Sequence, residues 1–473
     1  MIALLEAKRE REKRAALAAG DAPKEPSEHE RKLDTGVPTW ILAMEKATLE
    51  AAWTRWLQNL AKDAAAKIAV HWEKKRQRIA AQLAQPSKWD EAKYNGSALK
   101  RALADTLLVD AAWLAQLADQ GGVLPRCQEV PTDSVVTLEE MERCNFCFGE
   151  LLPVLVISCP WLNADHPDEH GVLLQSIKFV LNAFAKRAAE EGGKCGVFWD
   201  YCSLPQRPLH AFGSLASTER ETFDRALLST SSWYGHRLTT VLLVDTPPPA
   251  KRRAHTNLCP YELRGWCDMQ ARASALVKDV RALLSLKRLS GEEERWQEVK
   301  DRGRAQRATP RTPAAFAEAF QIGIELGEME VPRKEDVPLI SRIYREAFTA
   351  EMQAVTELQN AFLGWDDAAG VELCEALKHA HEQGGLQKLK LLDLKANRLG
   401  DATVNRLVDL VNQNGLANLE CLSLGSNNIS DEGLRSLASA VARGGLPSCT
   451  SIELAGNPGS AAPVQEALRQ RRN

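Results

Sequence analysis

Residues 197–208, VFWDYCSLPQRP, run from three large apolar side chains into a carboxylate, a phenol, a thiol and a hydroxyl, and a proline then stops regular structure. A strand that ends in such groups places chemistry at a sheet edge. Asp200 is a candidate to orient a ribose, hold a metal or act as a general acid. Equally, an Asp here caps the turn by accepting from the backbone that follows it. Cys202 and Ser203 are candidate nucleophiles, but a nucleophile requires an adjacent base. No G-x-S-x-G elbow is present, and the sequence places no His beside them.

Residues 165–170, DHPDEH, offer two His and three carboxylates. Pro167 interrupts the i, i+4 geometry of a helical metal site, so a solvated loop is expected there. Cys144 and Cys147 have zinc-knuckle spacing without a clear second pair. Neither G-x-x-x-x-G-K-[ST] nor G-x-G-x-x-G occurs, so no phosphate-cradling loop is supported. No metal and no cofactor is expected.

The elements that position these groups are readable as apolar runs. LPVLVIS (152–158) and GVFWD (196–200) have the length and composition of buried strands, and LTTVLLVD (238–245) is a third. Helical spacing of Leu173, Ile177, Val180, Leu181 and Phe184 predicts a helix over 172–190, and FDRALLST (223–230) a short one. Strands alternating with helices point to a parallel sheet covered on both faces. In such a sheet ligands sit beyond the carboxyl ends of the strands, at Ser158–Trp161, Asp200–Ser203 and Asp245. A helix is expected over 261–286; residues 287–313 are charged, and DRGRAQRATPRTP (301–313) reads as an exposed linker.

The N-terminal third reads differently. Residues 1–34 alternate eight basic with eight acidic side chains, a solvated helix or disordered arm. From 38 to 84, Leu49, Trp53, Trp56, Leu60, Ala64, Ile68, Trp72, Ile79 and Leu83 mark one helix face. The period is nearer 3.6 than 3.5 and favours an antiparallel helical pair over a long coiled coil. A second helical stretch is expected over 97–118.

The 473 residues are too many for one core, and the net charge of −3 predicts neither a nucleic-acid nor a membrane partner. The apolar run at 151–162 is too short to span a bilayer. The charged N-terminus is not a secretory signal. Eleven scattered Cys, several inside apolar runs, fit reduced thiols and a cytoplasmic location.

The clearest signal is a repeat. LKLLDLKANRL, LECLSLGSNNI and CTSIELAGNPG align without gaps at a period of thirty. Leu389, Leu419 and Cys449 coincide, as do Leu392, Leu422 and Ile452, then Leu394, Leu424 and Leu454, and finally Asn397, Asn427 and Asn457. This is the leucine-rich repeat pattern, and its length resembles the ribonuclease-inhibitor class. The Asn column is structural, bonding backbone amides at the turn of the next coil. Residues 363–380 resemble the helical half of an earlier, degenerate repeat. So short an array is expected to dock on the preceding domain, capped by helices over 353–383 and by PVQEALRQRR at its far end.

Taken together, ISCPWLNADHPDEHG, VFWDYCSLPQRP, SSWYGHRLTTVLLVD, YELRGWCDMQ and ISRIYREAF resemble an uncharacterised protist and algal family. More distantly, their order is similar to the Toll/interleukin-receptor-like (TIR) and heterokaryon-incompatibility superfamily. Enzymatic TIR domains cleave NAD through a Glu four residues after a Trp. Trp266 and Cys267 match, but Gln270 stands at the Glu position and cannot ionise. Asp268 and Glu262 are the nearest substitutes, and helical geometry aims them elsewhere.

The resulting expectation is an α/β plus α protein: an arm over 1–37, a helical region over 38–124, a doubly wound TIR-like parallel-sheet domain over 125–348 and a capped leucine-rich repeat over 349–473. The candidate pocket is Ser158, Trp161, Asp200, Tyr201, Ser203, Gln206, Arg264, Trp266 and Gln270. The expected role is interaction or signalling, with a protein partner on the repeat. The alternative is a hydrolase with NAD or another nucleotide as substrate.

Overall fold

The computed structural model describes residues 96–144, 151–206, 217–246 and 257–472, with scattered positions between 55 and 91. The arm over 1–37, most of the helix expected over 38–84, and Cys147 lie outside the described residues. Residues 71–473 form one compact unit.

Its first half is built on a five-stranded sheet in the order β1-β3-β2-β4-β5. The strands are β1 (Val109–Asp110), β2 (Val154–Ser158), β3 (Gly196–Trp199), β4 (Thr240–Leu243) and β5 (Leu283–Ser285). β2 to β5 run parallel, and β1 joins the edge antiparallel, Val109 opposite Val197. Every residue of β2, β3, β4 and β5 is buried. That is why these strands read as unbroken apolar runs: helices cover both faces and no side chain alternates to water. α1 (Ser97–Ala102), α2 (Ala111–Asp119), α3 (Leu138–Glu142) and α4 (Val172–Ala189) are joined by the single turn α5 (Asp200–Ser203) and by α6 (Ser217–Gly235). Then come α7 (Gly265–Ala275), α8 (Trp296–Arg302), α9 (Pro313–Glu325) and α10 (Asp336–Ala354). α4 packs with α2 and α8, while α6, α7 and α10 pack with one another.

Three sequence expectations are corrected. The helix over 97–118 is split, because β1 intervenes and the Asp110 carboxylate accepts from Ala112 N at 2.9 Å to restart the chain as α2. The helix over 261–286 ends at Ala275, and Leu283–Ser285 is a strand. Lys278 and Asp279 make the break. The buried Lys278 ammonium donates to Thr239 O and Oγ1, and Asp279 accepts from Arg281 N at 2.8 Å. The linker expected over 301–313 is exposed only in part: it begins in the last turn of α8, Gly303, Ala305 and Pro310 are buried, and so is Arg307, donating to Ala275 O at 2.8 Å and to Gln359 O at 3.0 Å.

The second half is a parallel sheet of β6 (Glu357–Gln359), β7 (Leu391–Asp393), β8 (Cys421–Ser423) and β9 (Ser451–Glu453) in sequential order. It is backed by α11 (Asp367–Glu382), α12 (Asp401–Asn412), α13 (Asp431–Ala442) and α14 (Ala462–Arg472), each stacked on the next. Residues 357–359, expected within a helical cap, are instead a fourth strand, Leu358 opposite Leu392. The array docks on the first half. Leu386 N donates to Met352 O, Trp365 Nε1 to Arg307 O, and Arg311 pairs with Glu372 at 2.7 Å. One hydrophobic core runs from Trp89 to Leu468 through both halves.

Candidate functional site

At the carboxyl edge of the first sheet each parallel strand ends in a polar residue or hands over to one: Asp200 after β3, Ser158 on β2, Asp245 beyond β4 and Ser285 on β5. Strand order thus sets a row of two carboxylates and two hydroxyls. The sequence expectation of a polar edge is met by these residues. What each group bonds decides what the edge can do.

Ser158 is fully buried. Its Oγ lies 2.6 Å from the Tyr261 hydroxyl and donates at 2.6 Å to Gln270 Oε1. Gln270 sits in the second turn of α7, whose start is held close to α9. A Cβ on Gly265 would lie 2.6 Å from Phe320 Cζ and 2.7 Å from Val331 Cγ1, so a side chain here would have to displace one of them. Tyr261 also reaches Cys267 O at 3.3 Å. Tyr261 was not among the sequence candidates; it lies five residues before Trp266 in the YELRGW stretch, and only folding brings it to a strand more than a hundred residues earlier.

Asp200 forms a second cluster. Its Oδ1 accepts from Tyr201 N at 2.7 Å and its Oδ2 from Trp161 Nε1 at 3.1 Å. The first bond is the turn-capping geometry. Asp200 is partly exposed at the rim but surrounded by protein, and burial pushes its carboxyl up to about 6, with the two hydrogen bonds opposing. Trp161 meets the Tyr201 ring edge-on at 5.6 Å, and the His166 ring lies 4.5 Å from it. The Tyr201 hydroxyl is buried without a hydrogen-bond partner in the structure.

The nucleophile candidates are engaged in structure. Ser203 Oγ accepts from Trp199 N at 3.0 Å and closes the single turn α5. The Cys202 thiol faces Trp199 O, and burial pushes it far above the ordinary thiol range. Gln206 donates to Asp200 O and Leu204 O, and its backbone makes a reciprocal pair with the Gln128 amide. Arg264 is nearly buried, its guanidinium shared among the carbonyls of Trp161, Cys259 and Asn257. It pins the loop after β2 to the loop before α7. Trp266 points away from Asp200: its Nε1 donates to Asp336 Oδ2 at 3.3 Å, at the start of α10. Asp268 pairs with Arg272 at 2.9 Å on the same helix.

The DHPDEH loop is not the solvated loop expected. His166 and Asp168 are buried. The Asp168 carboxylate accepts from Val172 N at 2.6 Å and Leu174 N at 2.8 Å, capping α4. His166 Nδ1 accepts from Asp168 N, which leaves Nε2 to donate to Leu124 O. These side chains shape a helix start.

In the repeat, Asn427 Oδ1 accepts from Leu399 N, and its Nδ2 donates to Leu394 O and Leu424 O at 3.0 Å. Asn457 does the same one coil on, with Ile429 N, Leu424 O and Leu454 O. Asn397 accepts from Leu363 N and Trp365 N. Each Asn therefore bonds the preceding coil as well as its own, not the next coil. With Leu358, Leu392, Leu422 and Ile452 turned inward, alternation turns Glu357, Leu391, Cys421 and Ser451 outward in one row and Gln359, Asp393, Ser423 and Glu453 in the next.

Two cavities stand apart from the strand-end row. One, of about 20 Å³, lies among Ile79, Leu107 and Val136. The other is an open hollow of about 550 Å³ along the amino ends of the repeat strands, bordered by Arg237, Lys388, Lys390 and Glu420. Residues 415–438, which hold β8 and the first two turns of α13, match the Leucine Rich repeat family. No curated protein matches the chain. Among the described residues no helix is long and apolar enough to cross a membrane.

Proposed function

We propose that this chain is an intracellular protein-interaction or signalling protein, in which the leucine-rich repeat binds a protein partner and the α/β module is a non-catalytic or assembly domain of TIR-like type. The observation that carries this reading is the state of Gln270. Its Oε1 accepts from Ser158, so the position at which the resemblance expects a catalytic carboxylate holds a neutral amide bonded within the core. Ser203 and Arg264 are bonded to backbone in the same way. The repeat instead turns two rows of side chains outward, and repeats of this kind offer extended surfaces to partners. The second-first-third-fourth order of the parallel strands supports the TIR-like part of the reading. Eight of the ten described cysteines are buried, which supports a reducing compartment.

A second reading, an NAD- or nucleotide-cleaving hydrolase, rests on Asp200. Of the two partly exposed carboxyls of the edge, Asp200 and Asp245, it is the one flanked by the aromatic rings of Trp161 and Tyr201. The two readings separate on one assay. Purified chain incubated with NAD is expected to release no nicotinamide above background. Robust release that Asp200→Ala abolishes would replace the first reading with the second.

A further inference from the structure

In the repeat, the second residue before the Asn column position adopts no fixed side-chain type, but the residue directly before that column has one fixed backbone. Ala396 and Ser426 have φ of 54° and 55°, Gly456 has 83°, and the first coil places Phe362 there at 60°. The equivalence is set by the ladder: Phe362 N donates to Lys395 O, and Ala396 N to Gly425 O, in register with the strands. A bulky residue in the left-handed region is an outlier that ordinary folding disfavours. The other three coils use the small residues that this backbone tolerates. Phe362 is nevertheless 75% exposed, so packing within the chain does not account for the aromatic ring.

The surface around it has the anatomy of an interface. Leu391 and Cys421 are adjacent outward residues at the centre of the sheet face. Around them stand Glu357, Asp393 and Glu453; Lys395 pairs with Glu453 at 2.9 Å and, at the amino ends of the strands, Lys390 pairs with Glu420 at 2.7 Å, which leaves Glu357 and Asp393 without an ion pair among the described residues. Beyond Phe362 the rim is flat, because Ala396, Gly425, Ser426, Ala455 and Gly456 carry little or no side chain. We infer that this face binds an extended peptide segment of a partner protein, basic along the strand face, with an aromatic or aliphatic side chain packed against Phe362. The excess of carboxylates selects basic side chains, and the small-residue rim leaves room for a backbone to lie beside the ring. This rests on the interaction reading of the repeat and names the partner chemistry for it.

The test uses the full chain and a displayed library of short random peptides. Enriched peptides are expected to be basic and to contain an aromatic or large aliphatic residue. By fluorescence anisotropy their affinity is expected to fall about tenfold or more with Phe362→Gly and several-fold with Glu357→Lys. Phe362→Gly is expected to melt no lower than the wild type, since glycine suits this backbone, so lost binding cannot be assigned to lost folding. Enrichment of acidic peptides, or no enrichment over bare support, overturns the inference. Peptides insensitive to Phe362→Gly but displaced by Cys421→Arg overturn it while leaving the interaction reading standing. Peptides insensitive to both substitutions overturn both.

Discussion

The two sheets use their polar side chains in opposite ways. At the carboxyl edge of the first sheet, where a parallel sheet ordinarily receives a ligand, Ser158, Ser203, Gln270 and Arg264 bond to one another or to backbone. In the repeat, the Asn column holds the backbone from inside, and this leaves the outward rows for solvent and partners. The same residue types that signal chemistry in one half are therefore held in hydrogen bonds within the fold, while less conspicuous residues of the other half face outward. Polar identity alone does not mark a site; what matters is whether its hydrogen bonds are already satisfied inside the fold.

The comparison presumes that the halves are mechanically one body, and Arg307 is where this can be broken. Its buried guanidinium donates to Ala275 O at the end of α7 and to Gln359 O on β6. Among the described residues no carboxylate lies within ion-pair distance of it, and burial lowers it from its ordinary value to about 10. Arg307→Ala leaves the carbonyls of Ala275 and Gln359 without this donor and removes the packed stem. A loss of about 3 kcal/mol is expected. Urea denaturation followed by near-ultraviolet circular dichroism checks it. The continuous core predicts one cooperative transition shifted to lower urea. Two separated transitions would show that the α/β half and the repeat are independent after all.

Within the repeat the column should grade by position. Asn427 is buried and bonds both its own and the preceding coil, whereas Asn457 is in the last strand-bearing coil and is more exposed. Asn427→Ala is expected to cost about 2 kcal/mol and Asn457→Ala about 1 kcal/mol, because fewer neighbours depend on the terminal coil. The measurement is the shift in denaturation midpoint at unchanged slope. Equal losses would argue that the array does not behave as a stack of nearest neighbours.

Legibility from sequence follows the same division. Three coils are visible because Leu and Asn recur every thirty residues. The first coil is hidden because its offset from the second is thirty-four, Leu358 pairing with Leu392, and because Asn360 stands opposite Leu394 and Leu363 opposite Asn397 in that register. β2, β3 and β4 are legible as apolar runs, and their ends correctly locate Ser158 and Asp200. β5 is three residues within a helix-like apolar stretch, and only its pairing with β4 distinguishes it. The partners of the strand ends are less legible still. Tyr261 and Gln270 reach Ser158 across more than a hundred residues, a distance over which no local pattern operates. The apolar spacing of α7 gives no sign that Trp266 turns toward Asp336 instead of Asp200.

The smallest expected effect sharpens the comparison at Asp200. It is one of two partly exposed edge carboxyls, with Asp245, and burial raises it to about 6 from an ordinary 3.8. A folded-state value above the unfolded one means that the native chain holds the proton more tightly between these limits. The contribution of Asp200 to stability is therefore greatest below about pH 4, falls as pH rises through 6, and is level above. Asn cannot titrate, so Asp200→Asn should remove this component alone. The stability of the wild type minus that of the variant is expected to be larger at pH 4.5 than at pH 7.5. Because the side chain reaches solvent, the change should be about 1 kcal/mol, less than the full shift implies. Paired urea titrations at the two pH values measure it. A constant difference would mean that the carboxyl is hydrated like a surface Asp, and the edge would then be open to a ligand in a way that the bonded state of Ser158, Ser203 and Gln270 argues against.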